Sequence, residues 1–177
     1  MNSFALVKWD DEGELTTFYT VHVDDGSTEN EADKFFDKYY KIDRLKEATQ
    51  DLHSFLLDII GDEYGAIDDF FNRSENLVYG LPHTGKVTVE EIVYHYQDFP
   101  LRIYALRVNN REDLVILFNG GEKTAWKNSE CADLNIEFNE AQIFAQRIED
   151  ALRAGLIVVD GRYRRLISFD GSEEIIL

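Results

Sequence analysis

The sequence predicts an α+β fold, one domain over residues 1–177 with a mostly antiparallel central sheet and helices packed on one face. Three observations carry this. Runs rich in β-branched and aromatic residues open the chain, cross its middle and close it. Between them stand segments whose apolar residues recur at helical spacing. Near the end, Asp160-Gly161 separates two apolar runs, a strong short-range hairpin signal. An apolar share of 44% and an aromatic share of 13% supply a core for 177 residues despite a net charge of -17.

The elements follow in order. Phe4–Trp9 and Leu15–Val23 are strand-like and flank a turn at Asp10-Asp11-Glu12-Gly13. Thr28 with Glu31 three residues later has the pattern of a capping box. It precedes a helix with Ala32, Phe35, Phe36, Tyr39 and Tyr40 on one face. A second helix carries Leu45, Ala48, Leu52, Phe55, Leu56, Ile59 and Ile60, with Gly61 as its stop. Glu63–Phe71 is expected to form a third, weaker helix. Val87–Tyr96 is one long strand or a strand plus a loop. Leu101–Val108 alternates, with Arg102, Tyr104, Leu106 and Val108 on one side and Arg107 on the other. Leu114–Phe118 is continuously apolar, as expected of a strand buried on both faces. Asn139 as N-cap, Gln142 and a Phe138–Ile143 staple predict a helix that Gly155 ends. Leu156–Val159 and Arg162–Ile167 form the closing hairpin.

Several functions lack their signatures. No stretch approaches the roughly 20 apolar residues of a membrane span. The N-terminus has no basic region of the signal-peptide type. A single cysteine excludes a disulfide framework and points to the cytoplasm. His22, His53, His83 and His95 are scattered, Cys131 stands alone, and Gly120-Gly121 lacks the spacing of a phosphate loop. No metal and no cofactor is expected.

Charge is uneven. Residues 1–81 hold 7 basic against 19 acidic side chains, whereas 99–127 and 141–166 each hold 5 basic against 3 acidic. The basic residues of those windows include Arg102, Arg107, Lys123, Lys127, Arg162 and Arg164. Cations on a sheet can stabilise phosphorane charge, and tyrosine or lysine can move a proton.

The stretch LRIYALRVNNREDLVILFNGGEKT, followed by a helix, resembles the central sheet of the RelE/ParE/HigB toxin superfamily. Arg102 matches the arginine of its R-x-x-Y strand, and Tyr104 stands one position early for the tyrosine. Lys123-Thr124 match the end of its Lys-Lys-Thr segment, with Glu122 in place of the first lysine. The similarity covers residues 99–154. It implies a RelE-like core with extra hairpins and a metal-independent endoribonuclease whose catalytic residues are Arg102, Tyr104 and Lys123. Arg107, Lys127, Arg162 and Arg164 would then bind RNA. An antitoxin-like protein would be the partner, with RNA or a ribosome as target. The rival expectation is a non-catalytic acidic protein-binding module, engaging its partner through acidic helices or an edge strand. A ligand pocket lined by tyrosines is a third.

Overall fold

The computed structural model describes residues 2–71, 74–83, 85–123 and 132–177. Its main sheet has seven strands. In chain order these are β1 (Phe4–Asp10), β2 (Thr17–Val23), β3 (Ser74–Glu75), β4 (Val78–Leu81), β7 (Leu101–Arg107), β8 (Leu114–Glu122) and β11 (Ile175–Ile176). Across the sheet they run β11-β1-β2-β8-β7-β4-β3. Pairing is antiparallel except between β2 and β8, which run parallel with Thr17–Thr20 against Leu114–Leu117. Two hairpins stand apart from it, β5–β6 (Lys86–Val89 and Ile92–His95) and β9–β10 (Ile157–Asp160 and Arg165–Ser168). The fold is α+β, and β7 and β8 are antiparallel neighbours near its centre, as expected.

Each face of the sheet carries a separate core. On one lie α1 (Glu31–Tyr40) and α2 (Lys46–Ser54), whose Phe35 and Leu52, with Leu56 just beyond α2, pack on Ile103, Ala105, Val115 and Leu117. These two helices share a face, as the sequence predicts. The third, α3 (Ala132–Arg153), lies on the opposite face with Leu134, Ala141, Phe144, Ala145 and Ile148 against Tyr104, Leu106, Ile116 and Phe118. A strand such as LVILF, apolar on both sides, requires cover on both.

The helix ends differ from expectation for local reasons. Asn30, not Thr28, caps α1, its Oδ1 accepting from Asp33 N at 2.9 Å. Glu31 is thereby released from the cap and buried. Gly61 is no stop, since α2 continues as a π-helical segment Phe55–Tyr64. The Gly61 carbonyl accepts from Leu15 N and Thr16 N, tying the β1–β2 turn to the helix. The chain leaves the helix at Gly65, whose φ of +80 favours glycine. Residues 66–71 form turns rather than a third helix, yet Phe70 still packs on Phe55 and Tyr64. Val87–Tyr96 resolves into the β5–β6 hairpin, with Glu90 at φ 55 in a turn that has no Gly or Asn to announce it. Asn139 lies inside α3, not at its start, and Phe138 packs on Tyr104 at 5.5 Å instead of stapling to Ile143.

Near its end β8 carries a bulge opposite Tyr104, where Ile103 pairs with Gly120 and Ala105 with Leu117. A Cβ on Gly120 would stand 1.9 Å from the Arg102 carbonyl oxygen, so only glycine fits.

Candidate protein-binding surface

The central basic residues occupy the predicted strand, with an outcome the alternation could not foretell. Arg102 and Tyr104 do share a face, but it is the face that α3 covers. Arg102 is 7% exposed and Tyr104 0%. The aliphatic part of Arg102 lies across Gly80 of β4, where a Cβ would meet its Cδ at 2.6 Å. The Tyr104 ring is closed off by Phe138. These positions are not exposed strand ends.

Lys123 is half-buried just beyond β8, its backbone N–H donating to Pro100 O at 2.7 Å. Beside it Glu122 forms a two-pronged ion pair with Arg44, the Arg44 Nη2–Oε2 distance being 2.9 Å. That hydrogen bonding holds the Glu122 carboxyl below its ordinary range. An anion locked to a guanidinium therefore stands where the resemblance wants a lysine.

Arg107 points to the opposite face, as the five-residue spacing from Arg102 requires. Its guanidinium donates to Ala66 O at 3.0 Å and Asp68 Oδ1 at 2.7 Å, and stacks near Phe71 and Tyr79. This cation is spent inside the protein. Lys127 lies outside the described residues. Arg162 and Arg164 are not on a strand, because β10 begins at Arg165, and they sit in the loop 161–164. Arg102, Arg107 and the loop arginines thus belong to different surroundings.

A second cluster stands where β2 and β8 part. After β2 the chain leads to α1 on one face, and after β8 to α3 on the other, so residues of both helices meet at the strands' carboxyl ends. There Glu31, Glu137 and Glu140 bring carboxylate oxygens within 4.8 Å of one another. Asn119 Nδ2 donates to Glu31 Oε2 at 3.1 Å, and Lys34 Nζ to Glu31 Oε1 at 2.8 Å. Burial pushes the Glu137 carboxyl up to about 7, with Glu140 and Glu31 adding to the effect. Burial also raises Glu140. Such oxygens could ligate a hard cation. Lys34 already supplies a positive charge, however, and protonation of Glu137 relieves the rest. The Asn119–Glu31 hydrogen bond ties β8 to α1, and the α3 carboxylates stand against it with Glu137 Oε2 buried and without a hydrogen-bond partner.

The surface itself is unusual at the C-terminal hairpin. Of eleven large apolar side chains exposed among the described residues, Leu156, Val158, Tyr163, Phe169 and Ile176 come from the last 22 residues. Register explains three of these, Leu156, Val158 and Phe169. Val158 pairs with Ile167, and Phe169 N donates to Leu156 O at 3.0 Å, so Leu156, Val158, Ile167 and Phe169 share the outer face. The inner face turns Ile157 and Leu166 into the α3 core, where Leu166 N donates to the Tyr19 hydroxyl at 2.9 Å. Beyond the strands Tyr163 stands 60% exposed, with Arg162 and Arg165 over its ring at 5.4 and 5.0 Å.

Sequence reasoning found this hairpin but not its surface. The signal was present: the LIVV and LIS–Phe169 runs are apolar at both parities, and a peripheral hairpin can bury only one. Contiguous apolar patches of this kind mark interaction sites. Among the described residues no helix is long and apolar enough to cross a membrane. No family model, curated protein or solved structure matches the chain.

Proposed function

We propose that this chain is a non-catalytic, acidic protein-binding module of the cytoplasm, and that the RelE-like resemblance of its central strands does not extend to ribonuclease activity. The observation that carries this reading is the apolar outer face of the β9–β10 hairpin, with Leu156, Val158 and Phe169 exposed at 50%, 42% and 71%. Leaving these side chains in water forgoes about 25 cal/mol for every Å² of apolar surface that a partner would cover. The buried state of Arg102 and Tyr104 argues in the same direction, since a phosphodiester must reach the groups that act on it. So does the overall charge of -17, which repels polyphosphate.

Incubation of the purified chain with free mRNA and with ribosome-bound mRNA tests the reading. Both RNAs are expected to remain intact, and induced expression is expected to leave growth unaffected. Cleavage that disappears in Arg102→Ala would overturn it.

A further inference from the structure

We infer that the outer face of the β9–β10 hairpin takes a segment of a partner protein whose apolar stripe is followed by carboxylates. This rests on the protein-binding reading and adds the chemistry of the partner.

The face is polarised along its length. At the end near α3 it is purely apolar, Leu156 beside Phe169 and Val158 beside Ile167. The next pair, Asp160 and Arg165, is closed internally, because Arg165 Nε reaches Asp160 at 2.8 Å and its Nη1 reaches Glu173 at 2.8 Å. Past that pair lies the loop 161–164, where the charge is not closed. Arg162 is exposed and makes no ion pair among the described residues. Arg164 is half-buried, held at a left-handed φ of 49, with its Nη1 buried and without a hydrogen-bond partner. Arg111 comes up beneath the loop, its Nη2 only 3.0 Å from where a Gly161 Cβ would be, and is itself paired to Asp113.

A chain that carries -17 overall has therefore left two guanidinium groups uncompensated at one tip, on either side of the exposed Tyr163. Left-handed backbone at a non-glycine residue costs energy and concentrates at functional positions. Tyrosine flanked by arginine is the composition of binding hot spots. Carboxylates would meet Arg162 in the two-pronged geometry that guanidinium favours, while the apolar side chains cover Val158, Ile167 and Phe169. Charge complementarity thus selects an acidic, apolar protein segment. RNA fits poorly, since an aliphatic face gives nucleic acid nothing to pair with and two cations release few counterions. A second copy of this chain in a two-fold pair also fits poorly, because each loop would meet the same arginines.

The test uses the full chain and three fluorescent probes: a ten-residue peptide in which three Leu–Thr repeats are followed by four Glu (the Leu–Glu peptide), its counterpart ending in four Lys (the Leu–Lys peptide), and a 20-nucleotide polyuridine. Anisotropy is expected to show saturable binding of the Leu–Glu peptide alone. Phe169→Ser should weaken that binding at least tenfold, and Arg162→Glu about tenfold. Both positions are exposed, so unchanged urea midpoints will show that the fold is intact. Equal or tighter binding of the Leu–Lys peptide or of polyuridine would overturn the inference, as would no saturable binding of the Leu–Glu peptide. So would a dimer that Phe169→Ser abolishes. Cleavage of the polyuridine would instead remove the underlying reading, which keeps the two failures distinct.

Discussion

Two groupings of arginine and tyrosine in this molecule use the same side chains in opposite circumstances. On β7, Arg102 and Tyr104 are buried, Arg102 against Gly80 of β4 and the Tyr104 ring against Phe138 of α3. On the closing hairpin, Arg162 and Tyr163 stand in solvent at the end of an apolar face, with the ion-paired Arg165 over the Tyr163 ring. Residue types are alike; cover is what differs. The central pair is part of the core, and the peripheral group is left accessible at the surface. A strand pattern therefore cannot by itself separate a structural arginine from a functional one.

The comparison breaks most readily at the centre. Gly120→Ala would drive a methyl group into the Arg102 carbonyl, which β8 and β7 cannot both accommodate. A loss above about 4 kcal/mol is expected, near the limit of what one substitution does. Circular dichroism and soluble yield will report it, and a normally folded variant would show that the strands can separate. Tyr104→Ala removes a fully buried ring packed on Phe138 and should cost about 3–5 kcal/mol in urea unfolding. A surface tyrosine at that position would cost far less, so a small effect would mean that α3 does not cover β7.

The carboxylate cluster sharpens the comparison from the side of α3. Glu137 is raised to about 7 from an ordinary value of 4.5. The folded chain therefore holds a proton that the unfolded chain has released in that window. Stability should be full below about pH 4.5, fall as pH rises toward 7, and level off above it. Glu137 is only partly buried, so the screened effect is on the order of 1 kcal/mol. Glu137→Gln should flatten the slope of urea midpoint against pH. An unchanged slope would locate the proton elsewhere.

At the hairpin the expected effects on stability are the smallest. Arg162→Ala should shift unfolding by less than about 0.5 kcal/mol, the range of ordinary surface changes. A larger shift would make the loop part of the fold rather than of a binding surface.

Much of this architecture is legible in the chain. LVILF demands cover on both sides, and the alternation in β7 correctly separates Arg102 from Arg107. What stays hidden is three-dimensional. Nothing in the spacing of residues 132–153 says that their helix lies on the face opposite α1. That placement is what covers the Tyr104 ring and gathers Glu137 and Glu140 beside Glu31. The N-cap moved from Thr28 to Asn30 because the Asx side chain offers the same acceptor two residues closer to the apolar stripe. The hairpin surface was missed because strand signals report apolar residues without saying which side is covered.

The parallel pairing of β2 with β8 has a consequence in time. The β1–β2 hairpin is complete in the chain by residue 23, yet one of its edges is closed by residues 114–117 and the other by 175–176. At synthesis rates of roughly 5–20 residues per second, both edges stay open on the order of ten seconds. Unpaired edges invite wrong strands. Exposed Lys8, with Asp11 beside it, puts charge on β1 long before its later partner Glu173 is made, so the hairpin that must wait longest also carries a guard against mispairing.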